Sequence, residues 1–485
     1  MTGEVSRRRA LQVAALGAAG VVVGGVGTWR ELLAPASEGL AGRPGLSWQE
    51  PEVLSSRNGL LQVRLRAAAG ATVAGRRTRM LAYNGTVPGP TIRVRPGDRL
   101  QVELVNDLGE ATNLHTHGLH VSPEGAGDNV FRTVAAGETA PYEYEIPRDH
   151  PSGTFWYHPH LHGSVADQVF GGLYGALVVA GDAEPEVDRE RILVVSDVTL
   201  DGDGQVARMG QPQVMAGREG ELLLVNGQLR PRLDLEAGAL ERWRVVNACT
   251  SRFLDLGLDG HAVGFLGYDG QALAEPRDRD SILLAPGNRA DLLVRASWSG
   301  EVVLRTAAVD RGGMGMMGMM DGGLSPAAEI ASVQVGSTGR ARARAVPSFP
   351  TADDLRSASV DRHRTIVFTM GMGMGGMSFG FDGREFDHAR VDQQLRLGTV
   401  EEWVIGNSSP MDHPFHLHVW PMQVLEAPDH EPSGPPDWRD VVVVPARGQV
   451  RVRIRIADFG GRTVYHCHVL DHEDHGMMGI AEASA

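Results

Sequence analysis

The chain has 485 residues, 42% of them hydrophobic, and 46 Lys plus Arg against 60 Asp plus Glu give a formal charge of -14. At roughly 150 residues per domain this length is too great for one hydrophobic core and implies about three packed domains. The acidic balance, with no basic block beyond the extreme N-terminus and a short "GRARARAV" run, excludes nucleic acid as a partner.

The first element is a leader. Arg7, Arg8 and Arg9 precede an apolar stretch diluted by Gly and Ala from Ala10 to Gly27, the shape of a signal peptide. "SRRRAL" resembles the twin-arginine export signal, which hands folded proteins to the twin-arginine machinery, although Ala10 stands where that signal prefers a bulky apolar residue. "APA" at Ala34 to Ala36 offers a cleavage site, so the leader is placed at 1–36. The alternative is an uncleaved anchor, for which about 18 residues is the lower limit. No other segment of the sequence has the length and apolarity to cross a bilayer. The expected destination is the periplasm, the cell envelope or the extracellular space.

After the leader, long helical periodicity is nearly absent. Short alternating runs bounded by Gly, Pro, Asn and Asp recur instead, such as "TIRVRPGDRLQVELVN", "ILLAPGNRADLLVR" and "QVRVRIRIADFGG", and such runs predict β-sandwiches. One plan is repeated three times: "VRPGDRLQVELVNDL" at 94–108, "LEAGALERWRVVNAC" at 235–249 and "LRLGTVEEWVIGNSS" at 395–409 each run from an apolar start through a glycine turn into an alternating strand ending near Asn. Spaced this far apart, the copies indicate three related domains and not a short-period solenoid. Polar, Pro-containing linkers near 185 and over 336–354 place the domains at 47–182, 188–335 and 355–482.

Only Cys249 and Cys467 are present, so disulfides are not expected to contribute, and Cys249 is expected to be a buried, inert small hydrophobe. Histidine is more informative. Ten of the 18 histidines fall into four clusters: His115 and His117; His158 and His160; His413, His416 and His418; His466, His468 and His472. On a strand, residues i and i+2 share a face, so each His-x-His pair presents two imidazoles to one spot. The pairs 115/117, 158/160, 416/418 and 466/468 converge only if the first and third domains pack together. Eight neutral imidazoles suit several copper, zinc or iron ions. Cys467, between two inward histidines, must then point to the opposite face, toward a second and separate metal. A thiolate with two histidines and a distant methionine is the ligand set of blue copper electron-transfer sites, and His413, His472 and Met477 lie within reach.

These four ordered motifs, with "YNGTVPGPTIRVRPGD" in the first domain, resemble those of the multicopper oxidases of the laccase and cuprous oxidase type, over nearly all the chain after the leader. The resemblance implies an all-β fold of three cupredoxin-like Greek-key sandwiches and four copper ions, one type 1, one type 2 and two type 3. It assigns His413, Cys467 and His472 to the type 1 copper with Met477 axial, His115 and His416 to the type 2 copper, and His117, His158, His160, His418, His466 and His468 to the type 3 pair. The implied reaction takes electrons singly from a reductant and reduces O2 to two waters, with Glu473 and Asp128 resembling the family's proton-relay acids. No ligand position is missing, which separates the chain from copper-free relatives. His120, His162 and His475 adjoin the motifs without an assigned role, and His150, His261, His363, His388 and His430 read as ordinary.

The reductant stays open. The segments 314–320 and 370–377 hold five and four of the chain's 17 methionines, interleaved with glycine. Thioethers select Cu(I), and Met411 stands where cuprous oxidases resemble it with a methionine; Ser409 stands where those enzymes tend to carry an acid. Cu(I) oxidation with laccase-like activity on phenols is therefore the leading expectation, a laccase acting mainly on phenols or amines the second. A copper store or carrier without turnover is the alternative from another class, and the two-domain copper nitrite reductases lack a type 3 pair. The oligomeric state is not legible.

Overall fold

A computed structural model of the chain describes residues 44–182, 184–313, 323–336, 349, 353–373, 376–431 and 433–485. The leader expected at 1–36 and the methionine segment 314–320 lie outside the described residues, as does part of 370–377. Among the described residues the helices are short, at Val165–Gly171, Gln211–Ala216 and Leu470–Asp474, with one 3-10 turn, and strands make up the rest of the regular structure. No helix among them is long and apolar enough to cross a membrane.

Among the described residues the strands form three pairs of sheets, a five- and a four-stranded sheet between Val53 and Val179, a six- and a five-stranded sheet between Arg189 and Val335, and another six and five between Arg362 and Ser484, with a small two-stranded sheet of Val309–Asp310 and Leu324–Ser325 beside the second pair. The triplicated sequence plan becomes one structural unit built three times. Gly97, Gly238 and Gly398 turn the chain at φ of +87, +80 and +80°, a region costly for residues bearing a Cβ. The strands Arg99–Asn106, Leu240–Asn247 and Thr399–Asn407 follow. Each lies parallel to an earlier strand, Leu60–Val73, Arg189–Val198 or Arg362–Gly373, and antiparallel to a later one, Thr139–Glu145, Arg289–Arg295 or Gln449–Ile456. The closing asparagine repeats its role as well. Asn106, Asn247 and Asn407 each accept from the backbone N–H two residues on and donate Nδ2 to carbonyls of neighbouring loops, satisfying groups that a strand end leaves open.

Alternation sets the burial. Leu60–Val73 begins with every second residue buried, whereas Leu240–Asn247 is buried throughout because sheet covers one face and the neighbouring sandwich the other. Each pair of sheets encloses its own apolar core, one around Leu104 and Phe155, one around Trp243 and Leu256, one around Trp403 and Phe415. A fourth core joins all three regions: Trp156, Val169 and Phe170 pack with Ile192 and Val246 and with Leu470. Burying one such aromatic or large aliphatic side chain contributes about 1.5–3 kcal/mol, so this shared core holds the sandwiches in the register that the histidines require.

Candidate metal centres

Two antiparallel ladders between strands distant in sequence carry the histidine pairs. His115–His117 runs antiparallel to Gly153–His158, with His115 opposite His158. His413–Leu417 runs antiparallel to Gly461–Cys467, with His416 opposite His466 and Phe415 opposite Cys467. Alternation along the last strand sends the ring of His466 and the sulfur of Cys467 to opposite faces.

On one face, Cys467 Sγ lies 3.4 Å from His413 Nδ1 and 3.8 Å from His472 Nδ1, and all three side chains are fully buried. Met477 is buried beside them, its backbone tied to both arms of the turn: Cys467 N donates to Met477 O and Met477 N to His472 O. Phe368 stacks on His413 and Phe379 on His472, fixing both ring planes. Burial holds His413 down to about 3 and His472 well below the ordinary imidazole value, while it pushes the Cys467 thiol up. The imidazoles are thus in the ligand form, and a bound cation must displace the thiol proton.

On the other face, the eight remaining imidazoles of the motifs converge at the seam of the first and third sandwiches. His115, His117 and His416 form one group; His117, His158 and His468 a second; His160, His418 and His466 a third, each with ligand atoms within 4.8 Å of one another. His117 stacks on His416 at 3.8 Å between centroids and His115 on His418 at 4.0 Å. Burial and mutual repulsion keep them neutral, with His160 and His466 held down to about 4. Among the described residues His115 Nε2, His117 Nδ1, His158 Nε2, His416 Nε2 and both ring nitrogens of His468 have no partner although buried, whereas the second nitrogens of His115, His158 and His416 are engaged by Asp128, the Pro159 carbonyl and the Asp440 carbonyl. Unpaired buried nitrogens converging, with their opposite edges oriented by hydrogen bonds, is the donor arrangement that transition metals occupy. Soft thiolate on one face and imidazoles on the other fit copper.

The acids expected from sequence are both at the seam. Asp128 accepts from Thr116 N and Oγ1 and sits 2.8 Å from His115 Nδ1, and burial pushes it up to about 7. Glu473 lies 3.1 Å from His466 Nδ1 and 3.5 Å from His160 Nδ1, also raised by burial to about 7. Two further features had no sequence signal. Asp440, in "WRDVVVV", lies 3.0 Å from His117 Nε2 and is gripped by Arg289 of the second sandwich, whose Nη1 donates at 2.7 Å. Burial raises Asp440 to about 7 against the pull of Arg289. Gly287 packs its backbone so tightly on His468 that a Cβ there would meet the ring at 2.8 Å. A sandwich with no proposed ligand therefore braces the seam.

The helix Leu470–Asp474 joins the two faces to all three sandwiches. Leu470 N donates to Thr250 O, Asp471 is bound by Arg218 Nε and Nη2 at 2.9 and 2.7 Å, and His472 Nε2 lies 3.1 Å from Met215 O. Asp474 accepts from the N–H groups of Gly163, Val165 and Ala166 at the start of helix Val165–Gly171. Of the other sequence candidates, Met411 is buried and its carbonyl accepts from Asn407 Nδ2 and Ser409 Oγ, and Ser409 Oγ contacts His413 Nε2 at 2.8 Å. His120 contacts Val419 O and Asp458, His162 packs on Phe386, and His475 Nδ1 donates to Asp471 O. None of these three histidines joins a ligand group among the described residues. Cys249 is buried and unpaired.

A three-sandwich fold with a thiolate site beside an imidazole cluster defines the blue copper oxidases as a class. Family models described as multicopper oxidase match residues 67–184, 176–306 and 356–484. The chain belongs to the multicopper oxidase family and is a copper oxidoreductase. It is 29% identical to a solved multicopper oxidase of Campylobacter jejuni described as a metallo-oxidase, with a TM-score of 0.81 over 92% of this chain and 97% of that one. It is 26% identical to the multicopper oxidase mco of Staphylococcus aureus over 88% of this chain and 90% of that protein. It is 27% identical to a laccase of Bacillus stratosphericus over 83% of this chain and 90% of that protein.

Proposed function

We propose that the chain is an exported oxidase that couples one-electron oxidation of Cu(I) and of phenolic reductants to four-electron reduction of O2 to water. In this reading His413, Cys467, His472 and Met477 would hold a type 1 copper, His115 and His416 a type 2 copper, and His117, His158, His160, His418, His466 and His468 a type 3 pair. When bound, these four coppers supply one-electron redox chemistry and a site for O2. The observation that carries the reading is the strand Gly461–Cys467 with His468: one peptide link separates the thiol of the mononuclear site from two imidazoles of the seam, a covalent path that a copper store or carrier does not need.

The chain's own residues do the rest. Asp128 and Glu473, both raised to about 7, hold protons beside His115 and His466 where reduction of O2 consumes them. Asp440 and Arg289 hold His117, and Met215 and Arg218 hold His472 and its helix. The methionine segments support Cu(I) as reductant. Ser409 in contact with His413 supports a laccase acting mainly on phenols or amines as the second reading, because no carboxylate stands there to hold a metal substrate. The domain limits 47–182, 188–335 and 355–482 and export by the twin-arginine machinery belong to the same proposal.

Oxygen uptake by the copper-loaded protein, compared across Cu(I), Fe(II), Mn(II) and a phenol, tests this. Uptake with Cu(I) and phenol is expected, and uptake with neither overturns the reading. Deletion of 314–320 is expected to abolish Cu(I) oxidation and spare phenol oxidation; equal loss of both favours the laccase reading.

A further inference from the structure

The pairs 115/117 and 416/418 leave their strands in the same way and differ in one residue. His117 is followed by Gly118 at φ +86°, and His418 by Val419 at φ +72°. Glycine enters this left-handed region freely, whereas a β-branched residue there is an outlier. Val419 is also the middle of a three-residue turn, because Trp420 N donates to His418 O at 2.9 Å. Closed in this way around a positive φ, such a turn takes its rare and strained form. Strain of this kind persists only where the surroundings over-determine it, and it gathers at functional positions.

The constraint comes from the opposite sandwich. His120, three residues after His117, places Nδ1 2.8 Å from Val419 O and Nε2 2.8 Å from Asp458 Oδ1. These two contacts are unequal. Val419 is 7% exposed, whereas the Asp458 carboxylate is 54% exposed, and an exposed ion pair contributes little. Phe459, itself at φ +58°, packs edge-to-face with the His120 ring at 4.9 Å, and Trp420 Nε1 donates to Asp458 O across the same corner. On the inner side, His120 N donates to Nε2 of buried His150, whose Nδ1 donates to Pro151 O. Burial holds His150 down to about 4, so its Nε2 stays free to accept. Two histidines outside the ligand groups thus run from the first sandwich to the peptide that follows His418. His418 in turn stacks on His115, and its Nε2 lies 3.1 Å from His466 Nε2.

We propose that His120 is a positioning residue of the seam: its Nδ1–H holds the Val419 carbonyl, keeps the strained turn closed and so fixes the direction of the His418 imidazole. The inference rests on the reading of His418 as a ligand of the type 3 pair. Closure of the first sandwich on the third then does more than bring the imidazoles together, because it supplies the hydrogen bond that aims one of them.

Two substitutions separate the donor from the ring. His120→Asn puts an amide N–H where Nδ1 stands and removes the ring, whereas His120→Phe keeps a ring against Phe459 and removes the donor. In the copper-loaded protein, His120→Phe is expected to lower the copper affinity of the seam at least about tenfold with the blue absorption retained. Its electron paramagnetic resonance signal per bound copper is expected to rise, because a type 3 pair is silent only while its two cupric ions couple. His120→Asn is expected to match wild type in affinity and signal. A Phe variant that behaves as wild type, an Asn variant as impaired as the Phe variant, or equal loss of copper from the seam and the blue centre each overturns the proposal. Should His120→Phe fail to fold, His120→Asn decides: wild-type affinity and signal support the proposal, and a weakened seam or an unfolded chain overturns it. A protein that consumes O2 but tolerates His120→Phe loses this inference alone, and one that shows the donor pattern but consumes no O2 loses the oxidase reading alone.

Discussion

The mononuclear site and the imidazole cluster lie back to back on one strand, yet they are assembled differently. His413, Cys467, His472 and Met477 all come from one sandwich and from two neighbouring strands and a turn, so local pairing brings them together. The eight seam imidazoles come half from the first sandwich and half from the third, and their convergence depends on packing between sandwiches and on Arg289, Asp269 and Gly287 of the second. A site within one core inherits that core's stability. A site at a seam is only as stable as the contacts holding the seam.

The sharpest break of this comparison is Cys467→Ser. It removes the only thiolate of the mononuclear site and is expected to abolish the blue absorption and reduce oxidase turnover to background, while copper analysis still finds the seam loaded. Loss of all copper would show that the two sites are not separately assembled.

Next in size is Arg289→Met, which leaves Asp440 buried without its cation. Removing one partner of a buried ion pair costs about 3–5 kcal/mol, and loosening the hold on His117 lowers metal affinity by about 10–100-fold. Copper titration should show the loss at the seam, with the blue band retained. Asp471 and Arg218 offer the matching experiment at the other site: Arg218→Gln is expected to shift the blue centre's electron paramagnetic resonance signal and leave seam copper in place, whereas lowered thermal stability with an unchanged signal would reduce Arg218 to a structural tie.

Acidification separates the sites in a graded way. The buried imidazoles protonate well below their ordinary value, His160 and His466 at about 4, so between pH 6.5 and 4 the unfolded chain binds protons that the folded chain refuses. Stability of the copper-free protein therefore falls as pH drops through that window and is insensitive to these groups above it. With eight imidazoles at the seam against two at the mononuclear site, the seam is expected to open first. Thermal melts across pH check this, and copper loading should flatten the dependence because metal competes with protons for the same nitrogens.

The smallest expected effect is Ser409→Ala. It removes the neutral contact to His413 Nε2 and the hydrogen bonds of the same hydroxyl to Met411 O and from Met411 N, each worth about 0.5–1.5 kcal/mol, and should change the potential of the blue centre slightly without loss of copper. A collapse of the blue band would mean that Ser409 positions the ring and does not merely decorate it.

The fold was legible because its signal is local. The glycine turn, alternating strand and asparagine of 94–108, 235–249 and 395–409 encode a turn, a face and a loop anchor within fifteen residues, and each copy adopts the same arrangement. The grouping of the motif side chains was legible for the same reason, since two-residue periodicity alone sends Cys467 to the face opposite His466 and His468. Asp128 was harder, because a loop of irregular length carries it back to His115. Asp440, Arg289, Gly287 and Arg218 had no legible sequence signal, for each acts on a partner more than 30 residues away.

The order of residues along single strands thus determined which side chains share a face, and with them the two groups of candidate ligands and the all-β architecture. Only the packing of three sandwiches decided that four separate pairs of imidazoles meet and that Asp440 is buried against Arg289. The physical reason is range: strand periodicity and turn chemistry act over a few residues, whereas desolvation and ion pairing at a seam exist only after distant surfaces have closed on one another.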